Sequence, residues 1–214
     1  MNSFTEIGRG VKSLARLILL GLFVFLQPTW TQAAALPPPL QSSLERLAAI
    51  NGFSCSFEQV LLFTDGSSQA YSGSLAVRRP MRFRWHYTEP YEQLFVSNGS
   101  QIWHYEPDLM QVRILRDMEE VDPVVMRLLD GSIETDDIEL IEADASLRRY
   151  HVRLGGKSMV WMGLTEDNRL AYVESVDVLG NRNHIRLLGT SEILPADSEF
   201  SFTVPAGVET VDEQ

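Results

Sequence analysis

Apolar and polar residues alternate in short runs along most of this chain, the two-residue period of half-buried β-strands. The runs at Phe53–Leu62, Ala70–Arg79, Arg82–Tyr87, Tyr91–Ser97, Ile102–Tyr105 and Gln111–Arg116 are separated by turn residues. Asn98-Gly99 is the strongest hairpin signal among them. A second series follows at Ile138–Ile141, Leu147–Leu154, Ser158–Leu164, Leu170–Val178 and Asn183–Leu188. Leu194-Pro195-Ala196-Asp197 predicts a last turn before a strand at Phe200–Val204. Connections this short leave no room for crossover helices, so the pattern predicts an antiparallel meander of roughly eleven strands. A sheet of that size must curl over a core or partly close into a barrel, and with few bulky inward residues it encloses a cavity.

Two stretches carry helical spacing instead. Leu40, Leu44, Leu47 and Ala48 share one stripe, Ser42 and Glu45 have the form of a capping box, and Gly52 reads as the C-cap. Leu36-Pro37-Pro38-Pro39 before them reads as a stiff, non-helical leader. Farther on, Asp122 and Pro123 suit a helix start, Val121, Val124, Val125, Leu128 and Leu129 form an apolar stripe, and Gly131 stops it. This helix either packs over one end of the sheet or acts as a lid over a cavity.

The stretch Leu75–Tyr87 holds the candidate site. Alternation puts Tyr71, Gly73, Leu75 and Val77 on the same side as Arg79, so an apolar face ends in a guanidinium that stays charged. After Pro80, Phe83, Trp85 and Tyr87 share one face, while Arg82, Arg84 and His86 share the other. Arg79 either turns outward into water or stands as a strong donor at the mouth of an apolar cavity.

The first 35 of the 214 residues read differently. Arg9, Lys12 and Arg16 precede the apolar run Leu17–Leu26, and Ala33-Ala34-Ala35 follows. This is the pattern of a cleavable signal peptide, and the run is too short to span a bilayer comfortably. Domains are therefore expected at 1–35 (signal peptide) and 36–214 (one exported domain). The formal net charge of −11 becomes −13 without that segment, since three basic residues and Glu6 leave with it. Such acidity disfavours nucleic acid and anionic lipid head groups as partners. The single cysteine, Cys55, alternates with Phe53 and Phe57 and reads as a small core residue. It lies too far from the apolar leader to be a lipid-attachment site.

No catalytic signature accompanies these elements. His86, His104, His151 and His184 fall in no metal-binding spacing and read as surface histidines. There is no nucleophile elbow, P-loop or dinucleotide fingerprint. The expectation is a protein that is not an enzyme, with no cofactor and no metal.

Phe53-Ser54-Cys55-Ser56-Phe57-Glu58-Gln59, the string Arg79-Pro80-Met81-Arg82-Phe83-Arg84-Trp85, Val96-Ser97-Asn98-Gly99 with Trp103 and Tyr105, and Phe200-Ser201-Phe202-Thr203 ending in Gly207-Val208 resemble the periplasmic outer-membrane lipoprotein carrier family, the LolA proteins. The resemblance covers nearly the whole chain after the leader. It implies a mainly β fold, an unclosed antiparallel β-barrel of about eleven strands with an N-terminal helix and a short lid helix. It also implies a periplasmic chaperone for the acyl chains of lipoproteins bound for the outer membrane. Implied partners are an inner-membrane ABC-type lipoprotein-releasing complex and an outer-membrane receptor, and the carrier is expected to be a monomer. Arg79 matches the family's lid latch. Phe83 and Trp85 match aromatic cavity positions, Leu75 and Val77 on the apolar face that ends in Arg79 are expected to line the same cavity, and Val121–Leu129 is similar to the lid in pattern. A periplasmic lipid or glycolipid transfer protein, or a lipid-sensing regulatory protein, would use the same barrel. The regulatory kind normally adds a second C-terminal domain, where this chain ends soon after Val208.

Overall fold

The computed structural model describes residues 35–115, 131, 138–155 and 158–212. Among these residues one helix, α1 (Pro38–Ala49), precedes twelve strands. The first six are β1 (Gly52–Leu62), β2 (Ser68–Arg78), β3 (Arg82–Glu89), β4 (Gln93–Asn98), β5 (Ile102–Glu106) and β6 (Gln111–Leu115). The rest are β7 (Ile138–Asp144), β8 (Arg149–Leu154), β9 (Ser158–Leu164), β10 (Leu170–Val176), β11 (Arg182–Ser191) and β12 (Glu209–Asp212). They form a single sheet in the order β12-β6-β5-β4-β3-β2-β1-β11-β10-β9-β8-β7. Two hairpin meanders thus meet at the β1–β11 pair, and the sheet is unclosed, because among the described residues nothing pairs β12 with β7.

Alternation decides which side chains are covered. The register Phe53–Val77–Phe83–Ser97 and Cys55–Leu75–Trp85–Phe95 runs across β1 to β4 on the inner face. On the other meander, Val173, Met162 and Tyr150 hold the matching row. All the apolar members of these rows belong to one hydrophobic cluster that also contains Leu40 and Leu44 of α1. Burying that face against α1 is what lets a twelve-stranded sheet curl round a core rather than aggregate.

Four expectations are corrected. Pro38 and Pro39 are not a leader but the first turn of α1, where a missing N–H costs nothing. Pro37 occupies the N-cap and the Gln41 amide donates to its carbonyl, so Ser42 and Glu45 form no capping box. Gly52 does not cap the helix; it opens β1, where a Cβ would stand 2.3 Å from the Val77 carbonyl oxygen. Its smallness serves close strand approach. The fourth correction concerns the end of the chain. Phe200–Val204 is no strand: Asp197–Phe200 forms a 3-10 turn, and residues 201–205 carry no ladder. The closing strand is β12, and it pairs with β6 in parallel, so the sheet is not wholly antiparallel.

This C-terminal strap lies across the outer face. Phe200 is fully buried and its turn packs on β3 and β4. The ring of Phe202 sits 5.9 Å from Trp103 and 5.7 Å from Tyr105. The Arg78 guanidinium donates to the Pro195 carbonyl at 2.7 Å, and Arg78 and Arg82 both pair with Asp197. Much of the outer face of β3 to β5 is therefore covered, which explains why Val96 is as buried as any inward residue.

Candidate functional site

The inner face of β1 to β4 is an aromatic surface. Phe57 meets Trp85 edge-on at 5.4 Å and Tyr87 at 5.0 Å, while Trp85 and Tyr87 stack at 5.9 Å. Tyr71 and Phe95 pack against Tyr87 from either side. Burial pushes the Tyr87 phenol well above its ordinary value, so it stays a neutral donor at any physiological pH. Leu75, Val77, Phe83 and Trp85 are all but inaccessible and stand together in this surface. Cys55 lies in the same row, its thiol pushed up to about 12 by burial.

Arg79 stands at the rim. Its Nη1 donates to the carbonyls of Ala48 (2.8 Å) and Ile50 (2.7 Å), and its Nη2 donates to Leu47 (2.5 Å). These are carbonyls that the end of α1 leaves without helical partners, and the positive charge sits at the negative pole of the helix. The guanidinium therefore does at the C-terminus of α1 what a glycine cap does elsewhere. It also fills the space beside Gly131, where a Cβ would fall 2.2 Å from Nη2. Gly131 has φ +73°, a left-handed conformation that suits glycine. One side chain thus touches the end of α1 and the residue that follows the predicted lid. The lid positions Val121, Val124, Val125, Leu128 and Leu129 lie outside the described residues, as do residues 1–34 of the predicted signal peptide.

A second contact holds α1 in place. Arg46 pairs with Glu192 at 2.6 Å, which draws the Glu192 carboxyl below its ordinary value. Between α1 and β11 there remains a recess of about 30 Å³ lined by Leu47, Ile50, Phe53 and Leu187. That is room for a water or two and not for an acyl chain.

One histidine departs from the surface placement expected of it. His104 follows Ile102 on the inner face, is 3% exposed, and stacks on Phe95 at 3.9 Å. Its Nδ1 lies 2.6 Å from Nη2 of Arg113, with Glu106 close by. His86 does face outward as expected, beside Glu92. Among the described residues no group of acidic, histidine or cysteine side chains has the arrangement of a metal site.

These features define a class: one open β-sheet wrapped on an aromatic inner face, with a helix clamped over it by a rim arginine. Residues 48–203 match the family "Outer membrane lipoprotein carrier protein LolA". The chain belongs to that family. It is 33% identical over 202 residues to an outer-membrane lipoprotein carrier protein of Bordetella pertussis, covering 89% of this chain and 94% of the relative. A relative of the same name from Methylibium petroleiphilum is 35% identical over 164 residues, 72% of this chain and 80% of its own. Among solved structures, an uncharacterized conserved protein from Thermus thermophilus superposes with a TM-score of 0.52 at 12% identity, covering 81% of this chain and 98% of that one. That likeness speaks for the fold.

Proposed function

We propose that this chain is a periplasmic chaperone, exported by a cleavable signal peptide over residues 1–35, that shuttles lipoproteins from the inner to the outer membrane in its single domain, 36–214. Family membership and the name its relatives carry, outer-membrane lipoprotein carrier protein, support this reading. In it, an inner-membrane ABC-type complex supplies the cargo and an outer-membrane receptor takes it. The carrier works as a monomer and makes or breaks no bond.

The physical need is large. Leaving an acyl chain of about sixteen carbons in water costs roughly 12 kcal/mol, at about 0.8 kcal/mol per methylene. A carrier must cover the chain yet hold it loosely enough to deliver it. The observation that carries the proposal is the set of three Arg79 bonds to the end of α1, with Gly131 against the same guanidinium. In the empty protein these contacts hold α1 against the sheet that carries Leu75, Val77, Phe83 and Trp85, and the stripe Val121, Val124, Val125, Leu128 and Leu129 is the lid proposed to close with it. Cargo entry trades them for acyl contacts with the aromatic face. The net affinity is then the difference between two large terms, and transfer to a better acceptor runs downhill.

The test is reconstitution. Inner-membrane vesicles holding an ABC-type releasing complex and a labelled triacylated lipoprotein are given ATP and the purified chain. Soluble lipoprotein should appear in a 1:1 complex with the chain, and its deacylated counterpart should not bind. Equal recovery of acylated and deacylated forms in the complex would sink the proposal. Co-purification of a free lipid alone would favour a lipid transfer protein instead.

A further inference from the structure

The outer face of β1 to β3 carries a site that the inner-face carrier role leaves unused. Across the strands, Ser54 stands opposite Ala76 and Ala76 opposite Arg84, while Ser56 stands opposite Ser74. These small side chains make a floor. Beside it the β1–β11 pairing slips by a residue, and Gly189 of β11 adds no side chain. A groove of about 430 Å³, open to solvent, lies over the floor and is lined by Ser54, Ser56, Ser74, Arg84 and Glu199 among others.

Arg84 is singular. Every other described arginine is held by a hydrogen bond or an ion pair. Arg84 is half-buried and, among the described residues, nothing engages its side chain. In a chain of net charge −11, an arginine standing over a groove with no carboxylate paired to it is an unmet demand for an anion. Glu199 lines the same groove without pairing to Arg84, and spends one carboxylate oxygen on the Ala196 amide. The hydroxyls of Ser54, Ser56 and Ser74 are likewise uncommitted among the described residues. A guanidinium fork and three hydroxyls offer more donors than a carboxylate can accept, and they suit the oxygens of a phosphate.

We propose that this groove binds a small phosphate ester bearing an ammonium group, of the phosphoethanolamine kind, with Arg84 and the serine hydroxyls on the phosphate and Glu199 on the ammonium. The same chemistry occurs free in solution or as a lipid headgroup. Two arms separate these sources. The first titrates free phosphoethanolamine into the ¹⁵N-labelled chain and follows amide shifts. The second floats the chain with phosphatidylethanolamine vesicles, against phosphatidylcholine vesicles whose headgroup has no N–H.

Saturable shifts are expected around Ser54, Ser74 and Arg84, weakened at least about tenfold by Arg84→Gln, the cost of one lost charge-assisted contact. Glu199→Gln should abolish the preference for phosphoethanolamine over inorganic phosphate. Arg84 holds nothing else in place, so Arg84→Gln should melt with wild type, which separates lost binding from lost folding. Dependence on Arg84 in the vesicle arm alone assigns a headgroup, and in the solution arm alone a soluble ester. Shifts or flotation identical in wild type and Arg84→Gln in both arms overturn the proposal. Failure here leaves the carrier reading standing, because no inner-face residue is involved.

Discussion

Replacing Arg79 with leucine separates two roles that one side chain combines. The substitution keeps an apolar stem and deletes three donors, so the carbonyls of Leu47, Ala48 and Ile50 lose their partner. A bond from a charged donor contributes roughly 1.5–3 kcal/mol, and two of these three share one nitrogen, so a total of about 2–4 kcal/mol is expected rather than the full sum. Urea unfolding of the empty protein should show that loss. If the same contacts compete with cargo, their removal also favours the loaded state. At about 1.4 kcal/mol per tenfold, a loss of about 2 kcal/mol slows release about 30-fold. The assay loads a fluorescent lipoprotein and follows its transfer to excess wild-type carrier in a single turnover. Arg79→Lys, with the charge but not the fork, should fall between the two. Lower stability with an unchanged release rate would refute the reasoning, leaving Arg79 as a helix cap and nothing more.

Three further outcomes follow. Gly131→Ala should cost more than about 1 kcal/mol, from its positive φ and the close approach to Arg79, and a double-mutant cycle should show that cost shrinking in Arg79→Leu; strict additivity would mean the contact is inert. Phe200→Ala should destabilise by about 3–5 kcal/mol in urea and shift Trp103 emission as the strap loosens, and a loss below about 1 kcal/mol would show the strap to be dispensable. Burial raises the Cys55 thiol from its ordinary 9.0 to about 12, so the folded state retains a proton that the unfolded chain gives up. Stability should be flat with respect to this group below pH 9 and fall between pH 9 and about 12, more steeply in wild type than in Cys55→Ala. A thiol reagent at neutral pH should label Cys55 only in denaturant.

The strands are legible because a half-buried sheet writes its period into the chain, and Asn98-Gly99 marks its turn where Asn98 accepts from Ser100 and Gln101. What escapes are residues whose partners are distant in sequence. Arg79 reads as a sentinel at a cavity mouth, but the carbonyls it serves lie about thirty residues earlier, and no local pattern encodes a cap supplied by another element. Because Arg79 takes that duty, Gly52 is free for close packing, and the local rule that makes it a cap yields to a tertiary one. The strap misleads for a similar reason. Phe200 and Phe202 alternate like a strand, yet they cover Trp103 and Tyr105 from outside; Pro195 and Pro205 on either side are the available warning. The burial of His104 had a local signal all along, since its alternation with Ile102 already places it inward.

The seam between the two meanders has a consequence for how the molecule comes into being. β1 finds β2 at once, but its other neighbour is β11, and the bond between Gln59 and Asn183 spans 124 positions. The two halves cannot be stitched together until Arg182–Ser191 is available to pair, and the strap that shields the outside follows it in the chain. Closing a pair so far apart in sequence is slow, which leaves the polypeptide pliable, and open to being threaded elsewhere, until that seam is made.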